Sequence, residues 1–243
     1  MIDIRSLTKR FGDKTAVDGL DLQIAEGEFF CFLGPNGAGK TTTIKMLTGL
    51  IRPSSGTARV GEHDVQHEPE AAKRLLGYIP DTPYLYDKLT VRELMRFVAG
   101  LYGVSPARYA ELCEPLLDTF ELSAHAEQLV ERLSHGMRQK LSFASCFLHE
   151  PRVVVVDEPW VGLDPKNIRA VKTYLKERTR DGLTVFMSTH TLSIAEELAD
   201  RIGIIHRGRL RHVGTVEEIK QLAEHPGSLE DVFLQLTREE GEA

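Results

Sequence analysis

A chain of 243 residues can hold one sizeable core, or a core with a subdomain inserted, and its 42% apolar and 27% charged content excludes low-complexity and collagen-like classes. A net charge of −6 gives no general attraction for phosphate backbones, so no nucleic-acid partner is expected. No apolar stretch reaches the ~18–20 residues needed to cross a bilayer, and MIDIRSLTKR lacks the apolar core of a secretory signal.

The first third reads as strands. Ile2 and Ile4 alternate with polar residues, as do Leu20, Leu22 and Ile24. EFFCFLG (28–34) is nearly continuous in apolar character, as expected of a strand buried on both faces. It runs into a glycine-rich loop and then a helical pattern from Thr41 to about Leu50. GTARVGEHDV and LGYIP return to short strands. From about Val91 to Leu148 the character is helical, with Val91, Leu94, Val98 and Leu101 on one face. Within that block, LSHGMRQKL (133–141) sets Ser134 ahead of an apolar run through Leu141, Ala144 and Leu148, the ordinary signal of a helix N-cap.

RVVVVDEP (152–159) predicts another buried strand, followed by a helix at about 166–180, the strand LTVFMSTH, a helix at 192–200 and the strand RIGIIHRG. A hairpin turning at Gly208 would carry Arg207, Arg209 and Arg211 on its solvated face. GSLEDVFLQLTREEGEA closes the chain as a short helix with a frayed, acidic end. Strand–helix alternation of this kind implies a parallel sheet with helices on both faces, and residues 83–150 look like an insertion between two parts of one α/β core. Cys31, Cys113 and Cys146 are odd in number, far apart and without CxxC spacing, which argues against a disulfide framework or zinc site and for a reducing cytoplasm.

GPNGAGKT (34–41) fits G-x-x-x-x-G-K-[ST] and sits between a buried strand and a helix, where that motif works. Gly34, Gly37 and Gly39 let the backbone turn tightly enough for the N–H groups of Pro35–Thr42 other than Pro35 to face phosphates, with Asn36, Ala38 and Thr42 in the same cradle. Lys40 brings a positive charge to the β and γ phosphates, and the Thr41 hydroxyl suits Mg²⁺. The bland alternative, a glycine-rich turn, fits this context poorly. Asp157, at the end of the second buried strand, can hold the Mg²⁺ shell, and Glu158 can orient or deprotonate a water. Without the phosphate loop these two acids would read equally well as a solvated strand end.

At this point the chain resembles the ATP-binding subunits of ABC transporters over nearly its whole length. LSHGM resembles that family's LSGGQ signature, GLD (162–164) its D-loop ending at Asp164, STH its switch-histidine loop ending at His190, and GYIPD (77–81) its Q-loop. Phe11, in KRFG, matches the aromatic that stacks on adenine. The resemblance implies an α/β fold: a P-loop NTPase (RecA-like) core with an N-terminal antiparallel β subdomain and an inserted α-helical subdomain. It divides one ABC domain into 1–82 with 151–210 (β subdomain and core), 83–150 (helical, with the signature) and 211–243 (a short C-terminal extension).

It further implies that ATP and Mg²⁺ bind, that Lys40, Glu158 and His190 are catalytic, and that Thr41, Asp157 and Asp81 serve the metal. Ser134, His135, Gly136 and Met137 would act in trans on nucleotide held by a second cassette, so a homodimer or heterodimer is expected. The membrane permease would be a separate chain, docked near Tyr84, Leu85 and Tyr86, with this protein cytoplasmic and peripheral on the inner face of the membrane. SLEDVFLQLT resembles the end of exporter-type (ABC-2-like) subunits, which favours export. Three departures stand out: Asp81 replaces the Q-loop Gln, His135 and Met137 replace Gly and Gln, and Trp160 stands where a small polar residue is commoner, near the expected dimer seam. A soluble ABC-type ATPase acting on the ribosome, DNA or an assembly complex is the main rival. A P-loop GTPase is a weaker one, for want of an NKxD-type segment.

Overall fold

The computed structural model describes residues 1–160, 162–222 and 228–237. In chain order the first half comprises β1 (Ile2–Phe11), β2 (Lys14–Ile24), β3 (Phe29–Leu33), α1 (Lys40–Leu47), β4 (Ser55–Val60), β5 (His63–Asp64), α2 (Pro69–Leu75) and β6 (Leu76–Ile79). Then come α3 (Val91–Leu101), α4 (Pro106–Thr119), α5 (His135–Cys146), β7 (Val153–Asp157), α6 (Pro165–Arg180), β8 (Thr184–Thr189), α7 (Leu192–Leu198), β9 (Arg201–His206), β10 (Arg209–Gly214), α8 (Val216–Lys220) and α9 (Leu229–Thr237).

The central sheet has the order β10-β9-β3-β8-β7-β6, parallel throughout except for β10. Every residue of β3, β7 and β8 is buried, as the apolar runs of β3 and β7 require, and in β8 the polar Thr184, Ser188 and Thr189 are buried with them. Because side chains alternate across a strand, each of these runs feeds two cores. Phe29, Cys31, Leu33, Val154, Val156, Val185 and Met187 face one way, toward the helices. Phe30, Phe32, Val153, Val155 and Phe186 face the other, where the Phe186 ring lies 5.4 Å from Phe32 and 5.8 Å from Phe30. That second face is covered by α1, α2 and a four-stranded antiparallel sheet ordered β2-β1-β4-β5. The alternating Ile2, Ile4, Leu20, Leu22 and Ile24 supply its inner surface.

The segment between β6 and β7 is the helical insertion, so it occupies a crossover between neighbouring parallel strands. Each of its three α-helices starts at a polar cap. Thr90 and Glu93 form a capping box on α3, the Ser105 side chain accepts from the Arg108 N–H on α4, and Ser134 accepts from the Met137 N–H on α5. The insertion has no separate core: Leu94, Met95, Leu117, Leu141 and Ala144 belong to the same cluster as Val154 and Val185. Its limits are therefore topological, not a gap in packing.

Some ends differ from the sequence pattern. Helix α1 stops at Leu47, not Leu50, because Gly49 turns the chain at φ 69°. Strand β10 straddles residue 211, so the expected C-terminal extension begins inside an edge strand of the central sheet. The β9–β10 turn lies at Arg207–Gly208, and Arg209 is not merely solvated: its guanidinium pairs with Asp18 at 2.7 Å. Leu229 and Val232 of α9 are buried, while the acidic end at 238–243 lies outside the described residues.

Candidate functional site

Strand β3 ends at Leu33, and Gly34–Gly39 then form a loop that closes directly onto α1. Two of its glycines are required by geometry. Gly39 sits at φ 112°, where an added Cβ would also come within 2.7 Å of the Ala16 carbonyl, and at Gly34 a Cβ would lie 2.5 Å from the Ile205 carbonyl. The helix that follows has no side-chain cap and no acidic residue in its first turn. Its leading N–H groups and positive dipole end are therefore left for an anion.

The loop borders a cleft of about 380 Å³ lined by Phe11, Lys14, Ala16, Pro35, Asn36, Gly37, Gly39, Lys40, Thr41, Thr42, Asp81 and Glu158. Gly34 and Ala38 are buried beneath it. Phe11 stands half-exposed at the rim, with the Lys9 ammonium 5.0 Å from its ring centroid. Lys14 and Ala16 escaped the sequence reading. They belong to β2, and only the packing of the antiparallel sheet beside the loop brings them here.

Lys40 is buried, donating to the Gly34 carbonyl at 2.6 Å and the Pro35 carbonyl at 3.2 Å. Its Nζ also lies 3.4 Å from Glu158 Oε1, an ion contact without hydrogen-bond geometry, so that buried oxygen has no hydrogen-bond partner. The other Glu158 oxygen lies 2.8 Å from His190 Nδ1. That approach, like the one from Lys40, lacks hydrogen-bond geometry, and the exposed ring remains open to another ligand. Glu158 itself adopts φ 46°, sparsely populated for a side chain of its size and a local strain at the end of β7.

Asp157 is almost fully buried. Its Oδ1 accepts from the Ser188 hydroxyl, while Oδ2 is buried without a partner. Burial raises its carboxyl above the usual range, and the charges of Asp81 and Glu158 add to the shift; the hydroxyls of Ser188 and Thr41 pull the other way. A desolvated, orphaned carboxylate oxygen near a threonine hydroxyl is a suitable donor pair for a hard divalent cation. Asp81 is exposed in the cleft wall, with Oδ1 accepting from the Thr82 N–H at 2.8 Å.

The signature residues stand elsewhere. Ser134, His135, Gly136 and Met137 open α5, and none of them lines the cleft. The Ser134 hydroxyl is occupied as a cap at 3.3 Å from the Met137 N–H, and Ser134 and His135 are exposed. Asp164 likewise caps α6, accepting from the Asn167 N–H at 2.9 Å. That bond, with the Asn167 side chain and nearby lysine charge in support, lowers its carboxyl below the usual range. Trp160 is half-buried against the helical core, with Lys172 5.9 Å from its ring centroid and its indole N–H buried without a partner.

The family described as "ABC transporter" matches residues 17–161. The chain is 37% identical over 240 residues to the probable multidrug ABC transporter ATP-binding protein YbhF of Escherichia coli K12, covering 97% of this chain but 41% of that protein's length. It is 32% identical over 241 residues to the ABC-type transporter ATP-binding protein EcsA of Bacillus subtilis 168, covering 99% of this chain and 98% of the relative. Among solved structures, an ATP-binding subunit of an ABC transporter superposes with a TM-score of 0.93 at 34% identity, covering 98% of this chain and all of the other.

Proposed function

We propose, from the premise that this chain belongs to the ABC transporter family of ATP-binding proteins, that it hydrolyses ATP as one half of a pair of cassettes and thereby drives a membrane permease. The observation that carries this reading is the meeting of Lys40 and Glu158 in one cleft, with His190 against Glu158 from outside its lining and the buried Asp157 beside them. The loop N–H groups and Lys40 hold the triphosphate, Phe11 stacks on the base, and Glu158 takes a proton from the attacking water. The water oxygen bonds to the γ-phosphorus as the bond to the β–γ bridging oxygen breaks, giving ADP and inorganic phosphate. His190, close against the Glu158 carboxylate, turns its open ring toward the γ-phosphate. Mg²⁺, held by Thr41 and Asp157 with Asp81 nearby, would supply positive charge against the developing negative charge on the phosphates.

Each signature, displayed on the surface outside its own cleft, completes the site of the facing cassette, so ATP favours a closed pair and hydrolysis releases it. The permease docks by the exposed Tyr84 and Tyr86, with Leu85 beneath them in an apolar groove between the core and the helical insertion. Among the described residues no helix is long and apolar enough to cross a membrane; we place the protein at the cytoplasmic face, held there by its permease. Export is the direction favoured, since YbhF is named as a probable multidrug transporter component. Glu158→Gln is the decisive experiment. It retains ATP binding, loses turnover by about 10³-fold, and accumulates as an ATP-bound pair in light scattering; parental turnover in this variant refutes the assignment.

A further inference from the structure

The signature helix and the D-loop of the same chain are bound together by contacts that the hydrolytic chemistry does not require. At Gly136 an added Cβ would lie 2.7 Å from the Gly162 carbonyl, so the start of α5 rests directly on the D-loop backbone. The His135 ring fills the space over Gly162 where a side chain would otherwise project, and Gly162 holds φ 81°. One turn further along α5, Lys140 is buried within the protein. A lysine loses much hydration on burial unless its ammonium finds acceptors. Here it finds Asn167 Oδ1 at 3.3 Å and Glu121 at 3.4 Å.

Asn167 is itself saturated toward the D-loop. Its backbone N–H and its Nδ2 both donate to Asp164, at 2.9 and 2.7 Å, while its Oδ1 accepts from Lys140. The amide thus relays one polarised chain of hydrogen bonds from α5 to the cap of α6. Glu121 closes the arrangement from α4's C-terminal side, accepting from Lys166 at 2.6 Å as well as from Lys140.

We propose that Lys140 is a positioning residue, which, through Asn167 and with the His135–Gly162 contact, fixes the signature and the D-loop as one rigid unit. The inference rests on the paired-cassette reading above. A signature engaged by the partner's nucleotide then carries its own D-loop into register, so occupancy of one composite site is felt at the other. Because Lys140 lies outside the lining of the phosphate-loop cleft, its removal disturbs turnover in the pair and leaves nucleotide capture by the single chain intact.

The test compares Lys140→Met, Lys140→Arg and the exposed, fold-sparing Glu121→Gln in the full chain. It measures kcat, KM, melting midpoint and the binding of a fluorescent ATP analogue at dilutions where the chain is single. Expected are an unchanged affinity for the analogue, a kcat reduced about tenfold in Lys140→Met and less in Glu121→Gln, and recovery in Lys140→Arg. A kcat within about twofold of the parent in both Lys140→Met and Glu121→Gln overturns the proposal, as does a loss that merely follows a falling melting midpoint. If the parent chain itself fails to hydrolyse ATP, the paired-cassette reading falls and takes this one with it.

Discussion

Two helix N-termini in this chain offer the same dipole and differ in their caps and in everything around them. Helix α1 begins after Gly39 with no side-chain cap, inside a cleft that already contains a buried lysine and an aromatic rim. Helix α5 begins after Ser134, whose hydroxyl caps it, on an exposed surface whose nearest structured neighbour is the D-loop. Both offer backbone N–H groups and the positive end of a dipole to an anion. Only the first has walls. Anion affinity at a helix end depends on what excludes water and supplies countercharge beside it, and on the paired-cassette proposal the α5 end takes these from a second molecule.

The comparison is broken most severely at Gly39. Gly39→Ala demands φ 112° of an L side chain and sets a methyl 2.7 Å from the Ala16 carbonyl. The loop must rearrange, and affinity for a fluorescent ATP analogue is expected to fall about 100-fold or more. Retention of parental affinity would show that this loop is not the phosphate cradle.

Gly136→Ala sharpens the same contrast from the other side. Single-chain nucleotide binding should persist, while turnover drops about tenfold, because the methyl pushes the signature away from the Gly162 carbonyl. Mixed with Lys40→Ala, it should give turnover above that of either variant alone, since the mixed pair contains one intact loop facing one intact signature. Failure of complementation in a verified mixed pair would count against head-to-tail sharing.

The smallest shift concerns stability, and its sign is favourable. Burial raises the Asp157 carboxyl, so the folded state holds this proton more tightly than the unfolded chain. Between the ordinary aspartate value and that raised one, the unfolded state releases the proton first, and stability is lost as pH rises through the window. Above it, the ionised carboxylate is a standing cost. Asp157→Asn in metal-free buffer near neutral pH should therefore raise the melting midpoint by about 2–4 °C while abolishing hydrolysis. A lower midpoint would mean that Ser188 and Thr41 outweigh the desolvation.

Much of the fold was legible because burial on two faces leaves an unmistakable trace: EFFCFLG and VVVVDE could be placed as central strands from composition alone. The phosphate loop was legible for a related reason, since a tight turn that exposes N–H groups needs glycine at fixed spacing. The strained φ of Glu158, the Lys14 and Ala16 walls and the Lys140 relay left no such trace. Trp160 left no trace of its packing either: the ring lies half-buried against the core beside Lys172, which leaves its expected nearness to a dimer seam as it stood.

By itself, then, the sequence determined which segments become strands and helices, where the chain turns, and which groups can carry phosphate and proton chemistry. These depend on a residue and its near neighbours, through allowed backbone angles and side-chain periodicity. Tertiary structure alone decided that β2 walls the cleft, that His190 meets Glu158, and that the signature leans on the D-loop rather than on its own nucleotide loop. Those contacts join segments far apart along the chain, and their energies become available only once sheet register and core packing have fixed the backbones that carry them.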